Sequence, residues 1–103
     1  MTALKRNMSF IKLLSIAESK QKDALLNTMS KSQIELLRQL ARNIVEGELI
    51  VSKQLYKDLG RFKNKLIKFA DSTERGRKLL CLKLRSVWPR IIKAVLPQLE
   101  LLE

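Results

Sequence analysis

The amino-acid sequence predicts an all-α fold: a compact bundle of about five helices in a single domain spanning residues 1–103. Three observations predict it. The chain has only three glycines and two prolines, and residues that favour helix are plentiful. Apolar side chains recur at spacings of three and four along most of its length. Its 103 residues, 46% of them hydrophobic, are enough for a modest core without staples.

The elements follow in order. Ser9 can cap a first helix, "SFIKLLSIAES", with Phe10, Leu13, Leu14 and Ala17 on one side. A shorter second helix is expected around residues 22–28. Ser30 or Ser32 starts the clearest helix, whose stripe is Ile34, Leu37, Leu40, Ala41, Ile44 and Val45. Ser32 followed by Glu35 fits a capping box, and Gly47 supplies the stop. "ELIVS" (48–52) reads as an extended, partly buried connector, because no second strong strand is available to pair with it. Ser52 then caps a helix over 53–70, with Leu55, Leu59, Phe62, Leu66 and Phe69 as its core face. Gly60 lies inside that helix, where close packing against a neighbour is the commoner reason for glycine. Ser72 or Thr73 caps a further helix through Trp88, and Pro89 breaks it or opens a fresh one. The last piece, "PRIIKAVLPQLELL", reads as a short apolar helix. Leu37, Leu40, Ile44, Leu59, Phe62 and Leu66 are the predicted heart of the core.

Several classes of function are disfavoured by what the sequence contains. There is no histidine, the usual general base and a common zinc ligand. A single cysteine, Cys81, makes neither an intrachain disulfide nor a thiolate metal site. Gly47, Gly60 and Gly76 stand too far apart for a phosphate-binding loop. Asp71 and Glu74 read as a helix-start acidic cluster rather than a metal pair. The expectation is a non-enzymatic protein with no catalytic residue, no metal and no cofactor. No stretch has the apolar length of a membrane span or a signal peptide. An intracellular setting is therefore expected: nucleus, cytoplasm or a virion.

Charge is the strongest signal. The net charge is +11, and it is lopsided. Residues 1–51 hold eight cations and five anions, whereas residues 52–93 hold thirteen cations and three anions. Lys53, Lys57, Arg61, Lys65 and Lys68 recur at spacings of four, four, four and three, which on one helix makes a continuous cationic stripe. Lys63 projects elsewhere. Like charges at such spacings repel, so stability alone gives little reason to gather them. Arg75, Arg77 and Lys78 follow at the next helix start, where free N–H groups suit an incoming phosphate. Lys83, Arg85, Arg90 and Lys93 extend the basic surface. The predicted partner is nucleic acid, DNA or RNA with DNA the leading choice, held through its phosphates. Base reading is not expected. Phe62 and Phe69 fall on the core stripe, Tyr56 and Trp88 are open between core and surface, and no recognition-helix pattern is present. The alternative is a helical adapter module for an acidic protein partner. Leu96, Leu99, Leu101 and Leu102 serve either self-association or a docked terminal helix.

The order of "LLSIAESKQKDALL" (13–26), "LARNIVEGELIVSKQ" (40–54), "LGRFKNKLIKFAD" (59–71) and the basic-apolar run ending in "AVLP" (94–97) resembles short basic proteins of Polinton/Maverick-type elements and adintoviruses. The sharpest piece is "NIVEGEL", with Asn43 and Gly47 before an apolar connector. The family's glycine-rich apolar tail has no counterpart after Gly76. The resemblance implies a small accessory or virion-associated protein with a DNA-packaging or core role.

Overall fold

Helix α1 (Thr2–Ile16) opens the chain in a computed structural model that describes residues 2–101. It begins well before Ser9, because its buried stripe already includes Leu4 and Met8 and continues through Phe10, Ile11 and Leu14. An upstream apolar period overrides the Ser9 cap. Leu13, expected on the core side, is exposed instead. The helix bends at Asn7, where φ −113° and ψ 16° are not helical. The Asn7 side-chain amide donates to Ser32 Oγ at 3.0 Å, which ties the bend to the third helix.

Helices α2 (Ser19–Asn27) and α3 (Lys31–Val45) follow. The capping box of α3 is Ser30 with Gln33, not Ser32 with Glu35. Gln33 N–H donates to Ser30 Oγ at 3.1 Å, and Ser30 N–H donates to Gln33 Oε1 at 2.9 Å. That frees Glu35 for other partners. Helix α3 is the central element. Leu36 and Leu37 are adjacent and both fully buried, with Leu40, Ala41 and Ile44. So wide an apolar face requires neighbours on more than one side. Gly47 ends α3 with φ +81°. Gly47 N–H donates to Ile44 O at 3.2 Å and Glu48 N–H to Asn43 O at 2.8 Å, which is a Schellman closure.

The connector 48–52 is non-helical and forms no strand, with Leu49 buried and Ile50 exposed. Gln98 pairs with it as a neighbouring strand would. Its side-chain amide accepts from Ile50 N–H at 3.0 Å and donates to Ile50 O at 2.7 Å.

The expected helix 53–70 is three pieces: α4 (Lys53–Asp58), a 3-10 turn (Leu59–Arg61) and α5 (Lys63–Ala70). Ser52 does cap the first, accepting from Leu55 N–H at 3.1 Å. The break has a local cause and a packing cause. Gly60 is a poor helix former, and α4 buries none of its residues, so nothing holds it in line with α5. Helix α5 lies along α3 and buries Leu66, Phe69 and Ala70. A β-carbon added at Gly60 would meet nothing within 4 Å, so that glycine does not mark a close crossing.

Helix α6 (Glu74–Leu82) packs on α3 and α5 and stops earlier than the periodicity suggested. A helix running on into Pro89 would find no N–H there to bond back. The chain resets through a tight turn in which Leu84, Arg85 and Val87 each donate to the carbonyl three residues before. Leu84 and Val87 are fully buried within it. Pro89 then sits in the first turn of α7 (Trp88–Leu101), which packs along α1. Pro97 lies inside α7.

Among the described residues there are seven α-helices, one 3-10 turn and no strand, so the all-α class holds with more and shorter helices than about five. The radius of gyration is 12.4 Å, against about 13 Å for a compact chain of this size. One core joins all the layers. Trp88 and Phe69 meet edge to face in it, ring centroids 5.7 Å apart at 75°, and the Trp88 indole N–H donates to Cys81 O at 3.0 Å. Of the predicted core residues, Leu37, Leu40, Ile44, Leu59 and Leu66 are buried, while Phe62 packs half-buried at the edge beside the helix break. Leu99 is fully buried in this chain's own core and Leu96 packs against it. Leu101 is exposed, and Leu102 lies outside the described residues. Among the described residues, no helix is long and apolar enough to cross a membrane.

Candidate nucleic-acid interface

The break at 59–62 changes the geometry of the predicted cationic stripe. Lys53 and Lys57 stand on α4, Arg61 on the 3-10 turn, and Lys65 and Lys68 on α5. They do not form one continuous helical row, because the phase of the helix is lost at the turn. All five are nevertheless exposed. On α4, Lys53 and Lys57 lie opposite the half-buried Leu55, since residues two apart sit far round the helix from each other. On α5, Lys68 lies on the face away from Leu66 and Ala70. Lys65 Nζ stands 5.5 Å from the Phe62 ring centroid, and Lys63 Nζ stands 5.4 Å from that of Tyr56. Both are cation–π contacts that leave the ammonium groups at the surface.

The second predicted cluster divides. Arg75 points outward from α6. Arg77 does not: its side chain is 21% exposed and its Nη1 donates to Glu35 Oε2 at 2.6 Å. Its Nη2 donates to Ser72 O at 2.8 Å. The residue expected to meet phosphate is a structural tie instead, because Glu35, released from capping, needs a cation beside it. Arg38 supplies a second one, bonding Glu35 through Nε and Nη2 at 2.9 and 2.6 Å. The hydrogen bond from Arg38, with the charges of Arg38 and Arg77, holds the Glu35 carboxyl below its ordinary range against the opposing effect of burial. Arg38 and Arg42 also donate to Ala70 O at 3.0 and 3.2 Å, closing the end of α5. Lys78 is exposed and donates to Asn27 O at 3.2 Å. Lys83 is exposed just past the end of α6. Arg85 is exposed, with Nε donating to Leu82 O at 3.2 Å and Nη1 3.7 Å from Asp23.

The distribution of ion pairs sharpens the field. Residues 52–93 hold three acids, Asp58, Asp71 and Glu74. Asp71 is paired with Arg42 and Glu74 with Lys31, both cations from outside that segment. Asp58 lies 4.0 Å from Arg90. Among the described residues, Lys53, Lys57, Arg61, Lys65, Lys68, Arg75, Lys78 and Lys83 thus form no carboxylate ion pair. Pairing with the N-terminal half engages two acids of the basic half and two of its cations, Arg77 and Arg85, and most of its other cations stay without a carboxylate partner. Composition gives the number of these charges, whereas tertiary packing decides which of them are paired.

Leu79 was not singled out in the sequence. It is 61% exposed on α6, one helical turn from both Arg75 and Lys83. Cys81 is fully buried, and burial pushes its thiol up to about 12, so it is not a nucleophile at neutral pH. Among the described residues, no cluster of three or more His, Cys, Asp or Glu side chains is placed to hold a metal ion. No known protein family, curated protein or solved structure matches the chain.

Proposed function

We propose that this is a non-enzymatic nucleic-acid-binding protein that grips the phosphate backbone. The contacts are made by the exposed cations of α4, the 3-10 turn, α5, α6 and the turn after it: Lys53, Lys57, Arg61, Lys65, Lys68, Arg75 and Lys83, with Lys78 and Arg85 at the margin. The observation that carries this reading is the charge pairing. Arg42 and Lys31 engage Asp71 and Glu74, Glu35 and Asp23 engage Arg77 and Arg85 in return, Arg90 meets Asp58, and the other ten of the thirteen cations within 52–93 form no carboxylate ion pair among the described residues. Bringing polyanionic phosphates to these cations releases condensed counterions, which drives association without any base contact. The likeness to short basic proteins of Polinton-type elements gives this binding a setting, the packaging or coating of DNA inside a cell or virion.

The test is a salt titration of binding to duplex DNA. If about six cations neutralise phosphates, log K falls against log salt with a slope of about −5. A binding constant independent of salt, or no binding at low salt, contradicts the proposal. An adapter for an acidic protein partner would instead hold that partner in the presence of excess polyanion.

A further inference from the structure

Which form of nucleic acid suits this surface is decided by where the aromatic rings and the grooves lie. We infer that the ligand is double-stranded, and that the protein binds a duplex in preference to a single strand. This rests on the phosphate-binding reading above.

Single strands are held by a cationic groove that follows the backbone, combined with aromatic rings on which successive bases stack. This molecule places its rings elsewhere. Phe69 and Trp88 are fully buried and engage each other edge to face. Phe10 is buried, and Phe62 packs half-buried against the core. Tyr56 is the one exposed ring, and the Lys63 ammonium already sits over it at 5.4 Å. The concave regions take in few of the free cations: Lys78 lines one, and Lys63 with Tyr56 lines a hollow of about 190 Å³ that is otherwise apolar. One groove, about 450 Å³ between the starts of α3 and α6, is lined by the carboxylates of Glu35 and Glu74 as well as by Lys31, Arg77 and Lys78. Another hollow of about 380 Å³, between α1 and α2, has an uncharged lining that includes Leu13, Ile16 and Leu25. The free cations instead project from the outer faces of three short helices and a turn, on a body of 31 × 30 × 26 Å.

Such a surface has Coulomb attraction and little else to offer, so it favours the ligand with the denser charge. A duplex carries about one phosphate per 1.7 Å of its axis, and each neutralised phosphate contributes a slope of about −0.9, against about −0.7 on a single strand. With about six contacts the slopes differ by about one, which is roughly a tenfold advantage for the duplex per decade of salt dilution.

The experiment measures fluorescence anisotropy of the intact protein against a duplex and a non-pairing oligothymidine of equal length, at about 50 mM and 200 mM salt. The expected result is tighter binding of the duplex at both salts, with the steeper slope and a preference that grows about fourfold to fivefold between 200 mM and 50 mM. Tyr56→Ala should leave both affinities within about twofold. Equal or tighter binding of oligothymidine overturns the inference and leaves the phosphate-binding reading standing. So does a tenfold loss of oligothymidine binding in Tyr56→Ala, which would reveal stacking. Binding of neither ligand overturns both.

Discussion

Arg77 Nη1 donates to Glu35 Oε2 at 2.6 Å, joining the first turns of α6 to α3. This contact separates Arg77 from the neighbouring Arg75, which projects freely. Glu35→Gln removes the charge that Arg77 and Arg38 share, so the variant should be less stable than the parent by about 1–2 kcal/mol. Arg75→Gln should change stability by no more than about 0.5 kcal/mol. Urea unfolding of the two variants checks both values. Sign also matters for pH. The Glu35 carboxyl titrates below its ordinary value of 4.5 in the folded protein. Its contribution is therefore complete above that value and is lost as the pH falls through the lower, folded-state value. Glu35→Gln should flatten the acid limb of the stability profile. An unchanged acid limb would show that the contact contributes nothing.

Gly47 and Gly60 should respond oppositely to alanine. Gly47 has φ +81°, so a β-carbon there is strained even though no atom lies within 4 Å. Gly47→Ala should destabilise by about 1 kcal/mol or somewhat more. Gly60 has open space around it and no positive φ. Gly60→Ala should be neutral or stabilising by up to about 1 kcal/mol. Thermal melts of the two proteins measure the difference. A large loss at Gly60 would mean that the break between α4 and α5 requires glycine.

Trp88 and Cys81 report on the same buried region. Trp88 is fully buried and its ring N–H is bonded to Cys81 O. Folded protein should emit with a blue-shifted maximum that iodide quenches poorly. The Cys81 thiol, buried and pushed up to about 12, should resist a disulfide reagent until denaturant exposes it. Loss of the fluorescence shift and gain of thiol reactivity should share one midpoint, as a single core requires. Rapid labelling of Cys81 in native buffer would contradict the packing of α6 against the core.

The fold class was legible in the sequence because helical periodicity and the scarcity of Gly and Pro pointed the same way. Leu37, Leu40, Ile44, Leu59 and Leu66 were readable as core for the same reason. What the periodicity hid was continuity. Leu55, Leu59, Phe62, Leu66 and Phe69 keep helical spacing across 53–70, yet the chain breaks at the 3-10 turn, because spacing registers where apolar groups fall and not whether a segment has a neighbour to hold it straight. Leu80, Leu84, Val87 and Trp88 hid the turn before α7 in the same manner, and Pro89 was the only local sign of it. At the candidate site, charge and exposure were readable for Lys53, Lys57, Arg61, Lys65 and Lys68. The burial of Arg77 was not. Its partner Glu35 lies 42 residues away in sequence, and which carboxylate meets which guanidinium is settled by tertiary packing.

The central claim is that exposed cations of the 3-10 turn and the helices beside it carry binding. The most direct measurement is the salt dependence of duplex DNA affinity for the intact protein and for a variant with Lys57→Gln, Arg61→Gln, Lys65→Gln and Lys68→Gln together. None of the four forms an ion pair with a carboxylate among the described residues, so the variant should melt close to the parent. Losing four phosphate contacts of about six should reduce the slope from about −5 to about −2. The loss should be nearly equal for unrelated duplex sequences, because phosphates carry no base identity. A folded variant that binds duplex DNA with unchanged affinity and unchanged slope would contradict the account.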